Sequence, residues 1–595
     1  MGTYPINWNL DSLYEGGSGS ADFARLLDQC DRALDGYEKV LAALPERPGG
    51  EWARAALELQ KIARDVWEAI AFIECLQARN VEDGRADLLM ARAEAMNARQ
   101  RSYRTRLGTL LLSAGDEEWR AFLAREELIA IAFPLEEQRE VMRLKMDTNR
   151  EVLAEELAVD GYHGWSRLYE KMAGSLRAEW TEGGETSRIS MGQLHNKMEN
   201  PDRETRRLAF EKLEEAWRSV AHPTAMALNN QAGFRLGLYK HRGWDSALDE
   251  PLRINRIRRE TLDAMWGVVA DESRRLLPFM ERKCRLLGID RMKWYDQNAP
   301  IGGSGRGYTY DEGAAFILEH FGGFSPDLRD FAAMVFEKGW IESEDRPGKR
   351  AGGFCTDFPI HRETRIFTTF GGTYGGVSTI GHELGHAYHT WLIRELPFWT
   401  TQYPMTLAET ASTFCETLLL DAALETAESD AERLTLLAQK AEEAVTMMMN
   451  LRARFLFESA FFEARAKGAL GPEELDEMMT RAQKEAYCDG LDPEGYHPLF
   501  WASKLHFYIT SMPFYNFPYV FGYLFSNGIY ARATAEGPAF AKRYENLLKD
   551  TGRMTCEDAA RKHLGVDLAR PEFWKSAVDI VLDGVERFNE LADKS

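Results

Sequence analysis

Three histidines fall within eight residues in Ser378-Thr-Ile-Gly-His-Glu-Leu-Gly-His-Ala-Tyr-His-Thr-Trp391, in a chain of 595 residues that has only 12. His382, Glu383 and His386 form the pattern H-E-x-x-H. Residues four apart on a helix share a face with Cβ atoms about 6 Å apart, so two imidazoles can converge on one zinc ion. Glu383 sits one residue round the helix, where it can reach a water at that ion without becoming a ligand. Zinc lowers the pKa of such a water to about 7, and a carboxylate takes its proton as it attacks a polarised carbonyl. Leu384, Ala387, Tyr388 and Trp391 predict a buried helix, capped by Ser378 or Thr379 and stopped before Pro397. An unpaired His-Glu-His set would be costly there.

A third protein ligand is required, with the fourth position left open. A third histidine further along the helix, as in metzincins, would need glycine at position 389 and histidine at 392; the chain has His389 and Leu392. Three imidazoles strung along about 10 Å of helix cannot all meet one tetrahedral ion. His389 is therefore read as orienting a neighbour or facing substrate. The remaining choice is an acid on a following helix, Pro404 to Asp421. Glu409 is ringed by the small residues Ala408, Ala411, Ser412 and Thr413, which allow a close approach, and is the candidate ligand. The same glutamate completes a capping box with Thr406. Glu416 either orients a ligating histidine through its second ring nitrogen or is a structural acid.

Amide hydrolysis also needs donors for the developing oxyanion. The stretch Lys504 to Phe525 supplies His506, Tyr508, Tyr515, Tyr519 and Tyr523. The last three recur every four residues and predict one face of a helix. Such a stripe serves either as core or as a row of hydroxyl donors.

The elements that must position these groups are mostly helical. A helix is predicted from about Glu51 to Gln77, then a break at Asn80–Gly84 and another helix from Ala86. From Ala431, Leu434, Leu437, Ala441, Ala444, Met448, Leu451 and Phe455 keep the helical period, with Met447 to Met449 read as core filling. Gly183-Gly184 predicts a hairpin turn, and Thr364 to Phe370 a strand that glycines turn into the histidine helix. The stretch Gly302 to Tyr308 reads as a connector, since no Gly-Lys-Ser/Thr follows it. A domain boundary is placed near residue 200, giving an N-terminal helical domain over 1–200 and a catalytic domain over 201–595.

Apolar residues make up 45% of the chain and charged residues 28%, which predicts a folded globular protein. The net charge of −21, with no basic run, argues against nucleic acid as a partner. The seven scattered cysteines never form C-x-x-C pairs and read as reduced thiols. No apolar run spans a bilayer and the start has no secretory pattern, so the expected location is cytoplasmic, away from membranes.

The combination of HELGHAYH, TLAETASTFCE and HFY…FYNFPYVFGYL, in this order, resembles the M3 family of zinc peptidases in its oligoendopeptidase F branch. INWNLDSLYEG at the start, NPDRETRRLAFE (Asn200 to Glu211) and RAGGFCTDFP (Arg350 to Pro359) extend the resemblance over nearly the whole chain. It implies a mainly α, neurolysin-like helical ellipsoid with a deep substrate channel and a small β element beside the zinc helix. It further implies one Zn²⁺ per chain held by His382, His386 and Glu409, with Glu383 as base. His506 and tyrosines of the next helix bind substrate; Tyr523 matches best, and the choice between Tyr515 and Tyr519 stays open. The expected activity is cleavage of internal bonds in short peptides. The alternatives are an exopeptidase on a related scaffold and a peptide-binding protein with a non-catalytic zinc.

Overall fold

The computed structural model describes residues 3–302 and 306–594. The chain is mainly α-helical, with one two-stranded and one three-stranded sheet. It divides into two compact units, each discontinuous in sequence: Met1–Lys145 with Gly305–Ala422 and Arg532–Gly565, and Met146–Ser304 with Ala423–Ala531 and Val566–Ser595. Residue 200 lies within the second. Of the predicted Gly302–Tyr308 connector, residues 303–305 lie outside the described residues. No helix among the described residues is long and apolar enough to cross a membrane.

In the first unit, the helices Ala21–Ala42, Gly50–Arg79 and Gly84–Leu112 follow the sequence punctuation. The Ser20 side chain accepts from Phe23 N, and that of Asp83 accepts from Arg85 N and Ala86 N, so two of the three starts are capped. Their apolar faces meet in one core, where Leu27, Leu34, Trp52, Leu59 and Phe72 are buried together with Phe358 and Phe367 of the sheet. That sheet has the strand Glu363–Phe367 at its centre, parallel to Ile341–Glu342 and antiparallel to Phe354–Phe358, with Phe354 opposite Phe367. Strand Phe354–Phe358 is thus an edge.

From the central strand the chain passes through Gly372, at φ 72°, into the helix Tyr374–Ile393. This helix begins a turn earlier than Ser378 or Thr379, because Thr373 takes the cap and accepts from Gly376 N. The single helix expected over 404–421 is interrupted: a one-turn helix Met405–Ala408 ends at Glu409, and a second runs Ser412–Thr426.

In the second unit, the hairpin Arg177–Glu182/Glu185–Ser190 turns at Gly183 and Gly184, both in the left-handed region that glycine adopts freely. The helix from Asp430 passes through a widened π-type turn at Thr446–Asn450 into Leu451–Arg465. Met448 and Met449 in that turn are fully buried, as flexible side chains that fill an irregular segment. Tyr515 is not on the helix with Tyr519 and Tyr523. That helix starts at Phe517, because Pro518 is accommodated only in a first turn. Tyr515 lies in the turn before it, beside Phe514 at φ 54°.

Candidate metal centre

The helix Tyr374–Ile393 brings His382 Nε2 and His386 Nε2 to 3.1 Å. Glu409 Oε2 stands 3.5 Å from each of these nitrogens. Among the described residues this is the group of three whose ligand atoms gather within 4.8 Å of one another. Glu409 does not close a capping box. It ends the one-turn helix, and its Oε2 accepts from Ser412 Oγ at 2.7 Å, which aims the free lone pairs at the histidines.

The donor set fits a metal cation. Ligand bonds of 2.0–2.1 Å in a tetrahedron separate the donors by about 3.3 Å, close to the distances found. Glu416 Oε1 lies 3.3 Å from His382 Nδ1, on the far side of the ring. Burial alone would lower the His382 pKa, but Glu416, Glu409 and Glu383 outweigh it and raise it to about 9. Burial pushes Glu409 up, and the two histidines with Ser412 bring it down to about 2. Three carboxylates around two imidazoles make a site that favours a cation.

Glu383 is 6% exposed, and its Oε2 has no hydrogen-bond partner among the described residues. Burial raises its carboxyl above the ordinary value, against the pull of His386 and His382. It lines a cavity of about 670 Å³ together with His382, His386, Glu409 and the edge-strand residues Phe354 and Cys355. Gly353 is tightly packed on this wall: a β-carbon there would stand 3.2 Å from Glu383 Oε1 and 3.3 Å from Phe367 O, so either atom would have to give by a few tenths of an ångström.

His389 is fully buried and turned to the 548–551 segment, with Nε2 2.8 Å from Thr551 Oγ1 and 3.1 Å from Leu548 O. It does not face substrate. Its ring stacks on Tyr403 at 4.2 Å, and Tyr403 lines the cavity, so its reach is indirect.

The second unit holds the other predicted residues. His506 stacks on Tyr515, with ring centroids 5.2 Å apart, and Tyr519 lies 4.9 Å from Tyr515. Burial, with Arg454 and Lys504 nearby, pushes the His506 pKa down to about 3, so the ring is neutral. Tyr523 is 4% exposed. Tyr508 is a core residue, contrary to its reading as a substrate candidate: it is fully buried, stacks on Tyr169 and donates to Trp501 O at 3.1 Å.

The family model described as Peptidase family M3 matches residues 324–580, and that described as Oligopeptidase F matches 111–177. The chain belongs to peptidase family M3. It falls in the oligoendopeptidase F branch and is a metalloendopeptidase. The chromosomal oligoendopeptidase F of Lactococcus lactis subsp. cremoris is 25% identical over 417 residues, covering 69% of this chain and 68% of that one. Oligopeptidase PepF of Bacillus subtilis is 24% identical over 419 residues, covering 69% and 61%. A solved chain from Chlamydophila abortus shares the fold with a TM-score of 0.82 at 20% identity, over 98% of both chains. Oligoendopeptidase-F from Enterococcus faecium does so with 0.73 at 18%, over 96% of this chain and 99% of that one.

Three features of this M3 chain escape the sequence reading. Trp67 Nε1 donates to Asp357 Oδ1 at 2.9 Å on the cavity wall, where burial pushes the Asp357 carboxyl up to about 6. Glu458 holds the turn that carries Tyr515: its carboxylate accepts from Phe514 N at 3.1 Å and Asn516 Nδ2 at 2.7 Å. A lone acid among the aromatics of Phe455-Leu-Phe-Glu-Ser-Ala-Phe461 was the available signal. The third is a pair of cations near His506, Arg454 and Lys504.

Proposed function

We propose that this M3 metalloendopeptidase is a zinc-dependent oligoendopeptidase, which cuts internal bonds of short unstructured peptides with Glu383 as general base. The observation that carries the reading is the convergence of His382 Nε2, His386 Nε2 and Glu409 Oε2, with the Glu383 carboxyl on the wall of the same cavity. His382, His386 and Glu409 would hold the ion, and Glu416 would fix the His382 ring from behind. In such a set zinc polarises a carbonyl and brings the pKa of water to about 7.

Glu383 takes the proton of the attacking water and hands it to the leaving nitrogen as the C–N bond breaks, which regenerates the carboxylate. Its burial makes it a better base than an exposed glutamate. His506, kept neutral, has one ring N–H to donate; with Tyr523, and either Tyr515 or Tyr519, it binds the substrate backbone and the oxyanion, as the family resemblance implies. The deep substrate channel that the family resemblance implies would admit extended peptides and exclude folded proteins. None of the seven cysteines is in a disulfide, in keeping with a reducing cytoplasm.

Glu383→Gln keeps one zinc per chain by elemental analysis and lowers peptide turnover about 10²–10⁴-fold. Normal turnover in that variant, or no stoichiometric metal in the wild type, rejects the reading. Cleavage of a folded protein as readily as a decapeptide rejects the channel.

A further inference from the structure

Arg454 and Lys504 lie against the same ring: the guanidinium carbon is 5.4 Å and the ammonium nitrogen 5.8 Å from the centroid of Phe500. Arg454 is 7% exposed, and its Nε donates to a neutral acceptor, Asn450 Oδ1, at 2.9 Å. Lys504 is half-buried; its backbone N–H donates to Phe500 O, and its ammonium has no hydrogen bond or ion pair with any described residue. His506 follows two residues later. The groups acting on these three are one another, the Tyr487 and Tyr519 hydroxyls on Arg454, and His195 near Lys504; no carboxylate is among them. The nearby acid Glu458 is spent on Phe514 N and Asn516 Nδ2.

Two cations held against one ring without an anion are costly to bury. Burial, then Arg454, pushes the Lys504 ammonium down to about 7, and burial brings Arg454 to about 10. A buried charge left uncompensated, in a chain whose net charge is −21, marks a place where an anionic ligand belongs. The planar guanidinium fork beside a point-charge ammonium matches a carboxylate.

We propose that Arg454 and Lys504, with His506 beside them, form a carboxylate-binding site that takes either the C-terminal carboxylate or an acidic side chain of the peptide substrate. The site rests on the reading of His506 as a substrate-binding group of this peptidase.

The test uses four fluorescent peptides of one sequence, as free acid or C-terminal amide and with Asp or Asn at one position, bound to the full-length Glu383→Gln chain and followed by anisotropy. The free acid, or the Asp peptide, binds about tenfold or more tightly than its neutral counterpart, and the arm that responds identifies the source of the carboxylate. Lys504→Met abolishes that preference while leaving binding of the neutral peptide within about twofold, and raises Tm because an uncompensated charge is gone. Arg454→Gln does the same to the preference. Equal binding of all four peptides, or a variant that weakens all four alike, overturns the site. Wild-type turnover is followed in parallel. Cleavage without preference for the carboxylate overturns the site alone, whereas no cleavage of any peptide overturns the peptidase reading and the site with it.

Discussion

Gly385 packs directly on the backbone that follows Glu409: a β-carbon at 385 would stand 2.5 Å from Ala411 O and 2.6 Å from Ser412 Cα. Backbone atoms on that side cannot step aside cheaply, so the glycine inside H-E-L-G-H sets how near Glu409 comes to the two histidines. Gly385→Ala forces the 411–412 segment outward at a cost of about 1–3 kcal/mol. It lowers Tm and weakens zinc retention against a competing chelator. Wild-type Tm and metal content in this variant would contradict the argument.

Glu416 and His382 give a separate test. A carboxylate 3.3 Å from Nδ1 orients the ring and strengthens Nε2 as a donor. Glu416→Gln keeps the shape and removes the charge. Zinc affinity falls about 10–100-fold by chelator competition, while turnover at saturating zinc changes far less. An unchanged affinity would return Glu416 to the status of a structural acid.

How much of this could be read beforehand follows the range of the interactions. His382, Glu383 and His386 were legible because four-residue spacing fixes a helix face without reference to the rest of the chain. Glu409 was legible through its small neighbours, although the break after Ala408 was not, since it depends on packing against Gly385. Tyr515 was misplaced because a four-residue period was followed through Pro518, which restarts the helix. The burial of His389 and Tyr508 depends on Thr551 and Tyr169, more than 150 residues away in each case. No local pattern announces such partners. Arg454 and Lys504 stand fifty positions apart and acquire meaning only as neighbours of one ring.

Glu458 carries a pH signature. Burial raises its carboxyl from the ordinary 4.5 to about 7, against the lowering effects of Arg235, Phe514 N and Asn516. Between those values the folded chain keeps a proton that the unfolded chain has released, so this group's contribution to stability is present below about pH 4.5 and is lost as pH rises through 7. The difference in Tm between wild type and Glu458→Gln therefore changes across pH 5 to 8, with the wild type losing ground as pH rises. Because the same carboxylate holds the turn of Tyr515, the variant also loses turnover without losing zinc. A pH-independent Tm difference would show that Glu458 does not hold this proton.

His506 and Glu383 divide the pH dependence of catalysis between them. The base must be ionised to act, and the Glu383 carboxyl lies above its ordinary value, so loss of activity on acidification belongs to that group. His506 is pushed down to about 3, first by burial and then by Arg454 and Lys504, and remains neutral throughout the range in which activity is measured. His506→Gln, which keeps an amide donor, lowers kcat/KM by about tenfold yet leaves the acid limb of the pH profile where it was. Lys504→Met removes one repelling cation and lets the His506 pKa rise toward its ordinary 6.5, so a limb that belonged to His506 would shift to higher pH in that variant. Movement of the acid limb in either variant would reassign it from Glu383 to His506.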